Sequence, residues 1–179
     1  MFAFDPARYP PSLSALLTPE RLPELGPGKP NETARSALTA LTPESAFPNL
    51  RDRSMALACI SGLWLLHDFL DESHAISQEL DSPTGSYWHG IMHRREPDAG
   101  NAKYWFRRIG THAIFPALSD EAALLGYADA NKPWNPSEFI DCCEADRDTG
   151  SGREMVLRRV QLLEIHLLFD WCWRKTVEV

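Results

Sequence analysis

Cysteine is scarce and unpatterned in this chain: Cys59, Cys142, Cys143 and Cys172 include no Cys-x-x-Cys pair, and two of them are adjacent. Zinc ribbons and disulfide scaffolds both need cysteines at repeated spacings, so neither class fits. An excess of positive charge is also missing, since 18 Lys+Arg stand against 25 Asp+Glu for a net charge of -7. That balance disfavours nucleic-acid and anionic-membrane binding, which ordinarily use a broad basic surface. No apolar run is long enough to span a bilayer. The longest, at residues 55–70, ends among His67 and Asp68, and a spanning helix needs about 20 residues. The opening MFAFDPARYPP lacks the basic start, apolar run and small-residue cleavage site of a secretory leader. Together these absences make a soluble, reduced, cytoplasmic protein with no membrane segment the expectation. The alternation and β-branched enrichment that mark strands are absent as well, as are internal repeats and low-complexity tracts.

What the chain does contain is helical pattern. Its 179 residues suffice for one domain with its own core, and we expect a single all-α domain, a helical bundle over residues 51–179 with a proline-rich segment, 1–50, wrapped on it. Nine of the fourteen prolines fall in those first 50 residues. Thr18-Pro19-Glu20 and Thr42-Pro43-Glu44 each read as an N-cap followed by proline in the first helical turn. The stretch 54–80 contains no proline and one glycine, with Ser61, Asp68, Glu72 and Glu79 forming a solvent side, and it is expected to be the central helix. Further helices are expected at 86–95, 101–118, about 121–127 (capped by Ser119-Asp120-Glu121), 136–145 and 153–176, with a loop over 130–136.

Function is sought in residues 86–112, SYWHGIMHRREPDAGNAKYWFRRIGTH. This block holds three of the six histidines, four arginines, two Trp, two Tyr and a Phe. Its net charge is +3, so the remainder carries -10. A positive island on an acidic body suits a small anionic ligand, or arginines paired with carboxylates of neighbouring helices.

Helical spacing sorts the polar residues into stripes. His67, Asp71, His74 and Gln78 fall at i, i+4, i+7 and i+11. His89, His93 and Glu96 fall at i, i+4 and i+7, the placement that lets two imidazoles and a carboxylate meet one metal ion. Asn101, Arg108 and His112 share a third stripe flanked by Tyr104 and Trp105, and Arg159, His166 and Asp170 a fourth beside Trp173. The candidate catalytic groups are therefore His67, Asp71, His89 and His93. The candidate ligand-holding groups are Asn101, Tyr104, Arg108 and His112. The candidate ligands for a divalent metal are His89, His93 and Glu96, with His74. The Glu-x-x-His repeats of di-iron bundles and the His-Glu-x-x-His of metalloproteases are both missing, and no histidine precedes His67-Asp68 as metal phosphohydrolases require. Each lone histidine also has an ordinary reading, as a core residue donating one ring N–H to a carboxylate. Trp88, beside Ile91, reads as core.

The run Tyr87-Trp88-His89-Gly90-Ile91-Met92-His93-Arg94-Arg95-Glu96, followed by Asp98 and by Asn101-Ala102-Lys103-Tyr104-Trp105-Phe106-Arg107-Arg108-Ile109-Gly110, resembles the signature block of a family of uncharacterised proteins from bacteria and fungi. The resemblance extends to His67-Asp68 and the C-terminal helix region. It implies that the block acts as a unit and implies no particular activity, cofactor or catalytic residue.

Two functional classes follow. One is a small-molecule site between core helices, binding or enzymatic, metal-assisted or not, in which Arg108 and Asn101 hold the anionic part of the ligand. It requires the stripes to converge on a pocket. The other is a non-catalytic domain whose His, Arg and carboxylate groups form a closed network and which acts through a protein partner. Nucleic-acid binding would require Arg94, Arg95, Lys103, Arg107 and Arg108 to be exposed on one face. The oligomeric state is left open, a homodimer included.

Overall fold

A computed structural model describes residues 2–129 and 132–177. Among the described residues the chain is all-α, as its patterning predicts, with ten α-helices, one 3-10 turn at Pro6–Arg8 and no strand. The helices are α1 (Pro11–Leu17), α2 (Glu32–Thr39), α3 (Pro43–Ala46), α4 (Arg53–Leu66), α5 (Leu70–Ser77), α6 (Pro83–Arg95), α7 (Ala99–Ile109), α8 (Phe115–Leu124), α9 (Pro136–Asp146) and α10 (Gly152–Val177). None is long and apolar enough to cross a membrane. Residues 130 and 131 of the expected 130–136 loop lie outside the described residues.

The helix starts follow from capping chemistry. Asp52 Oδ1 accepts from the amides of Ser54 and Met55 to open α4, and Ser82 Oγ accepts from Gly85 to open α6. Asp98 caps α7 through Asn101 N, and Asn135 caps α9 through Ser137 N and Glu138 N. Thr42 and Ser45 form a reciprocal capping box with Pro43 in the first turn. The parallel expectation at Thr18-Pro19 is not met. Thr18 is instead the C-terminal cap of α1, and the next helix begins at Glu32. Residues 19–30 hold four prolines and two glycines, too few amide donors and too much backbone freedom to sustain helical bonds.

Other side chains hold that segment instead. Arg158 donates to the carbonyls of Leu22 and Pro23, Gln161 to Glu24, and Arg95 to Gly26 and Pro27. His67 Nε2 lies 2.8 Å from the Leu16 carbonyl, and its Nδ1 lies 2.9 Å from Asn31 Nδ2. A carbonyl can only accept, so Nε2 carries the proton and Nδ1 accepts from the amide. The proline-rich segment thus packs on the bundle as expected, with its carbonyls satisfied by the core rather than by itself.

The expected single helix over 54–80 is two. The chain turns at His67–Phe69, where Asp68 has φ of 65°, a left-handed conformation that ends α4. Asp68 is buried rather than solvent-facing, and so is Ser61, whose hydroxyl bonds to Ser73 in α5. The central position belongs to α6, in which every residue from Thr84 to Arg95 is buried, packed on α4, α5 and α7. Trp88 is fully buried, as expected. It fits because position 62 is glycine: a Cβ there would lie 2.6 Å from the Trp88 ring.

The expected 101–118 helix is likewise divided. Gly110, at φ of 66°, ends α7, and α8 starts afresh with Pro116 in its first turn. The separate helix expected at 121–127 does not form, because Ser119, Asp120 and Glu121 are already interior to α8.

Candidate functional site

The arginines of the block separate by direction. Adjacent helical residues point about 100° apart, and Arg94 and Arg95, both fully buried, run to opposite sides of α6. Arg94 Nη2 donates to Glu164 Oε2 of α10 at 2.6 Å, and Glu164 Oε1 accepts from Tyr87 at 3.0 Å. Arg95 Nη2 donates to Asp68 Oδ1 at 2.5 Å and Nη1 to the Leu65 carbonyl at 2.6 Å. These two cations are committed to internal carboxylates, so the exposed basic face that phosphate recognition needs is not formed by the set of five.

The histidines of α6 do converge, and their partner comes from α5. His74, His89 and His93 each bring a ring nitrogen to one place, all within 4.8 Å of one another. His89 and His93 are one helical turn apart with their Nε2 atoms 2.9 Å apart. His93 Nδ1 lies 2.9 Å from Glu96 Oε2. Asn101, in the first turn of α7, places Nδ2 3.0 Å from His93 Nε2. Trp105, one turn further along α7, stacks on His89 with centroids 4.0 Å apart.

Glu96 accepts, so His93 Nδ1 donates and His93 Nε2 is bare. Two donors reach that bare nitrogen, His89 Nε2–H and the Asn101 amide. His89 Nδ1 is buried and has no hydrogen-bond partner. The Ser77 backbone lies near enough to favour the protonated His89 ring without reaching bonding geometry to Nδ1. Burial, then the neighbouring His93 and His74, pushes the His89 pKa down to about 4. Burial also lowers that of His93, against the opposing pull of Glu96. Both imidazoles are therefore neutral at neutral pH, the form that ligates metal.

The remaining candidates lie elsewhere. His67 is the clamp on Leu16 and Asn31 described above, with both ring nitrogens used. Asp71 is exposed and lines, with Asp68, Glu72 and Glu96, a groove of about 360 Å³ beside the cluster. Tyr104 is exposed and meets Trp105 edge to face. Arg108 is half-exposed, 5.2 Å above the Trp105 ring and 3.9 Å from the exposed Asp81. His112 falls past the end of α7, so the stripe with Asn101 and Arg108 ends before it. It is buried against Tyr87, Phe115 and Trp171, 3.3 Å from the Thr84 hydroxyl. On α10, Arg159 is exposed, His166 stacks on Phe4 at 3.8 Å, and Asp170 accepts from Tyr9 at 3.0 Å. The four stripes thus do not meet at one point: α5, α6 and the start of α7 do, while the α10 pair anchors the N-terminal segment. Ser77 and Trp105 complete the cluster's surroundings; Trp105 was legible as a flanking residue, and Ser77 carried no signal because it acts through its backbone.

Comparison of the chain with protein families, with curated proteins and with solved structures finds no match to any of them.

Proposed function

We propose that this protein is a metal-dependent small-molecule site, in which His74, His89 and His93 hold one divalent transition-metal ion of the zinc class between α5 and α6. The observation that carries the reading is the convergence of three ring nitrogens from two helices within 4.8 Å. Neutral imidazole is the common protein ligand for such ions, at about 2.0–2.1 Å, which puts ligand nitrogens roughly 3.3 Å apart at a tetrahedral ion. The 2.9 Å between His89 and His93 opens to that value by a few tenths of an ångström. Glu96 on His93 Nδ1 is the carboxylate–histidine arrangement that orients a ligating ring. Metal on His89 Nε2 would move that ring's proton to Nδ1, giving the buried, partnerless atom a donor role toward the Ser77 backbone.

A second reading keeps the cluster as a structural network, favoured by the fact that 2.9 Å is already hydrogen-bond length. Elemental analysis of tag-free protein separates the two. The metal reading expects one equivalent of ion retained, lost in His93→Ala, and a chelator-sensitive melting temperature in the parent only. Protein that retains no metal, takes up none on addition and is merely destabilised by His93→Ala would leave the network reading standing alone.

A further inference from the structure

We infer that the metal ion proposed above keeps one coordination position for a small anionic ligand with an oxygen or nitrogen donor, a carboxylate being the natural class, and that Asn101 is the residue that holds it. The inference rests on the three-histidine reading and deepens it. Among the described residues, no fourth His, Cys, Asp or Glu donor lies within 4.8 Å of all three imidazole nitrogens. Glu96, the nearest carboxylate in sequence, is occupied in bonding His93 Nδ1, on the side of the ring away from the convergence. Three neutral imidazoles cancel none of a divalent ion's charge, so an anion is the electrostatically matched fourth ligand. A protein site with three ligands and an exchangeable fourth is also the arrangement that zinc chemistry uses.

Asn101 is placed for this. Its Nδ2 lies 3.0 Å from His93 Nε2 and 3.4 Å from Nδ1, over the ring and off the metal–nitrogen axis, so the amide leaves that axis free and can turn an N–H to whatever occupies the remaining position. The surroundings of the cluster are partly exposed to solvent. His89 and His93 are buried, but His74, Asn101 and Trp105 are only half-buried and Glu96 is exposed. Arg108 stands 5.2 Å over the ring of Trp105, which stacks on His89, and is paired only loosely, 3.9 Å from Asp81. It supplies a positive field at the rim rather than a direct contact.

The test uses the full chain loaded with Co(II), whose visible spectrum reports coordination, titrated with azide and with acetate. Parent protein is expected to bind both with a spectral change. Asn101→Ala is expected to take up Co(II) with affinity within about twofold of the parent and to bind azide and acetate about tenfold more weakly. Asn101→Asp, which places a second negative charge at the rim, is expected to weaken them further. Failure to take up Co(II) would overturn the metal reading and this inference together, before any anion is added. Co(II) uptake with a spectrum indifferent to azide would overturn the inference alone, as would unchanged anion affinity in Asn101→Ala. Anion binding that appears only in Asn101→Ala would likewise overturn it, by identifying the Asn101 amide oxygen as itself the fourth ligand.

Discussion

Asp68 and Arg95 form an ion pair 2.5 Å long, with Asp68 nearly and Arg95 wholly removed from solvent, at the residue where the backbone turns out of α4. Arg21 shares the same carboxylate through Oδ2 at 2.8 Å. The pair ties α6 to the α4–α5 turn, and Arg95 continues to the Gly26 and Pro27 carbonyls of the proline-rich segment. Removing one partner of a buried pair leaves an uncompensated charge, which costs about 3–5 kcal/mol. Asp68→Ala is therefore predicted to lose about that much in urea unfolding. Asp68→Asn tolerates the left-handed conformation and still accepts hydrogen bonds but removes the same charge, so it should keep most of that loss. A loss below about 1 kcal/mol for either variant would contradict this account.

The second buried pair, Arg94 with Glu164, is less completely satisfied. Arg94 Nε and Nη1 have no hydrogen-bond partner, and its guanidinium lies 4.6 Å over the Phe139 ring. Glu164→Leu strands both Arg94 and the Tyr87 hydroxyl, and should cost about 3–5 kcal/mol. The double variant Arg94→Met with Glu164→Leu should recover most of that, since apolar replacements of similar volume need no pairing. Additive losses in the double-mutant cycle would mean that Arg94 and Glu164 are not coupled, and would contradict this account.

Gly62 and Trp88 make a steric prediction. A methyl at position 62 meets the outer ring of the indole at 2.6 Å, so Gly62→Ala should cost about 1–3 kcal/mol by overpacking. In a Trp88→Phe background the outer ring is gone and the same alanine should be nearly neutral or favourable. An alanine penalty unchanged by Trp88→Phe would show that the contact does not govern the α4–α6 approach.

His112 and His166, both outside the cluster, set an acid limit. Burial depresses each pKa to about 4, against about 6.5 for an unperturbed histidine. Below pH 6.5 the unfolded chain takes up protons that the folded chain refuses, so stability is full above about pH 6.5, falls between there and pH 4, and levels off below. Each histidine should contribute about 3 kcal/mol to that fall. His166→Phe, which keeps the stack on Phe4, should shallow the decline measured by denaturant unfolding between pH 7 and pH 4. An identical pH profile for the variant would refute the assignment.

The sequence by itself determined the fold class, the helix starts at Pro43 and Pro136, the wrapping role of the first 50 residues and the one-turn spacing of His89 and His93. These are local properties: capping, periodicity and the i,i+4 relation act within a few residues and need no knowledge of what packs against them. Tertiary structure decided which polar residues are internal. Asp68 reads as a solvent-facing position in the sequence but has a buried partner in Arg95, and the helix drawn through it ends there, where the backbone turns left-handed. His67 and His74 lay on one predicted stripe, yet the turn sends one to the Leu16 carbonyl and the other to His89 and His93. Likewise the positive charge of the block looked free in one dimension, whereas two of its arginines are matched in space by Asp68 and Glu164, residues 27 and 70 positions away. Long-range pairing of charges leaves no periodic trace in a sequence, because the desolvation that makes it necessary exists only once the helices have packed.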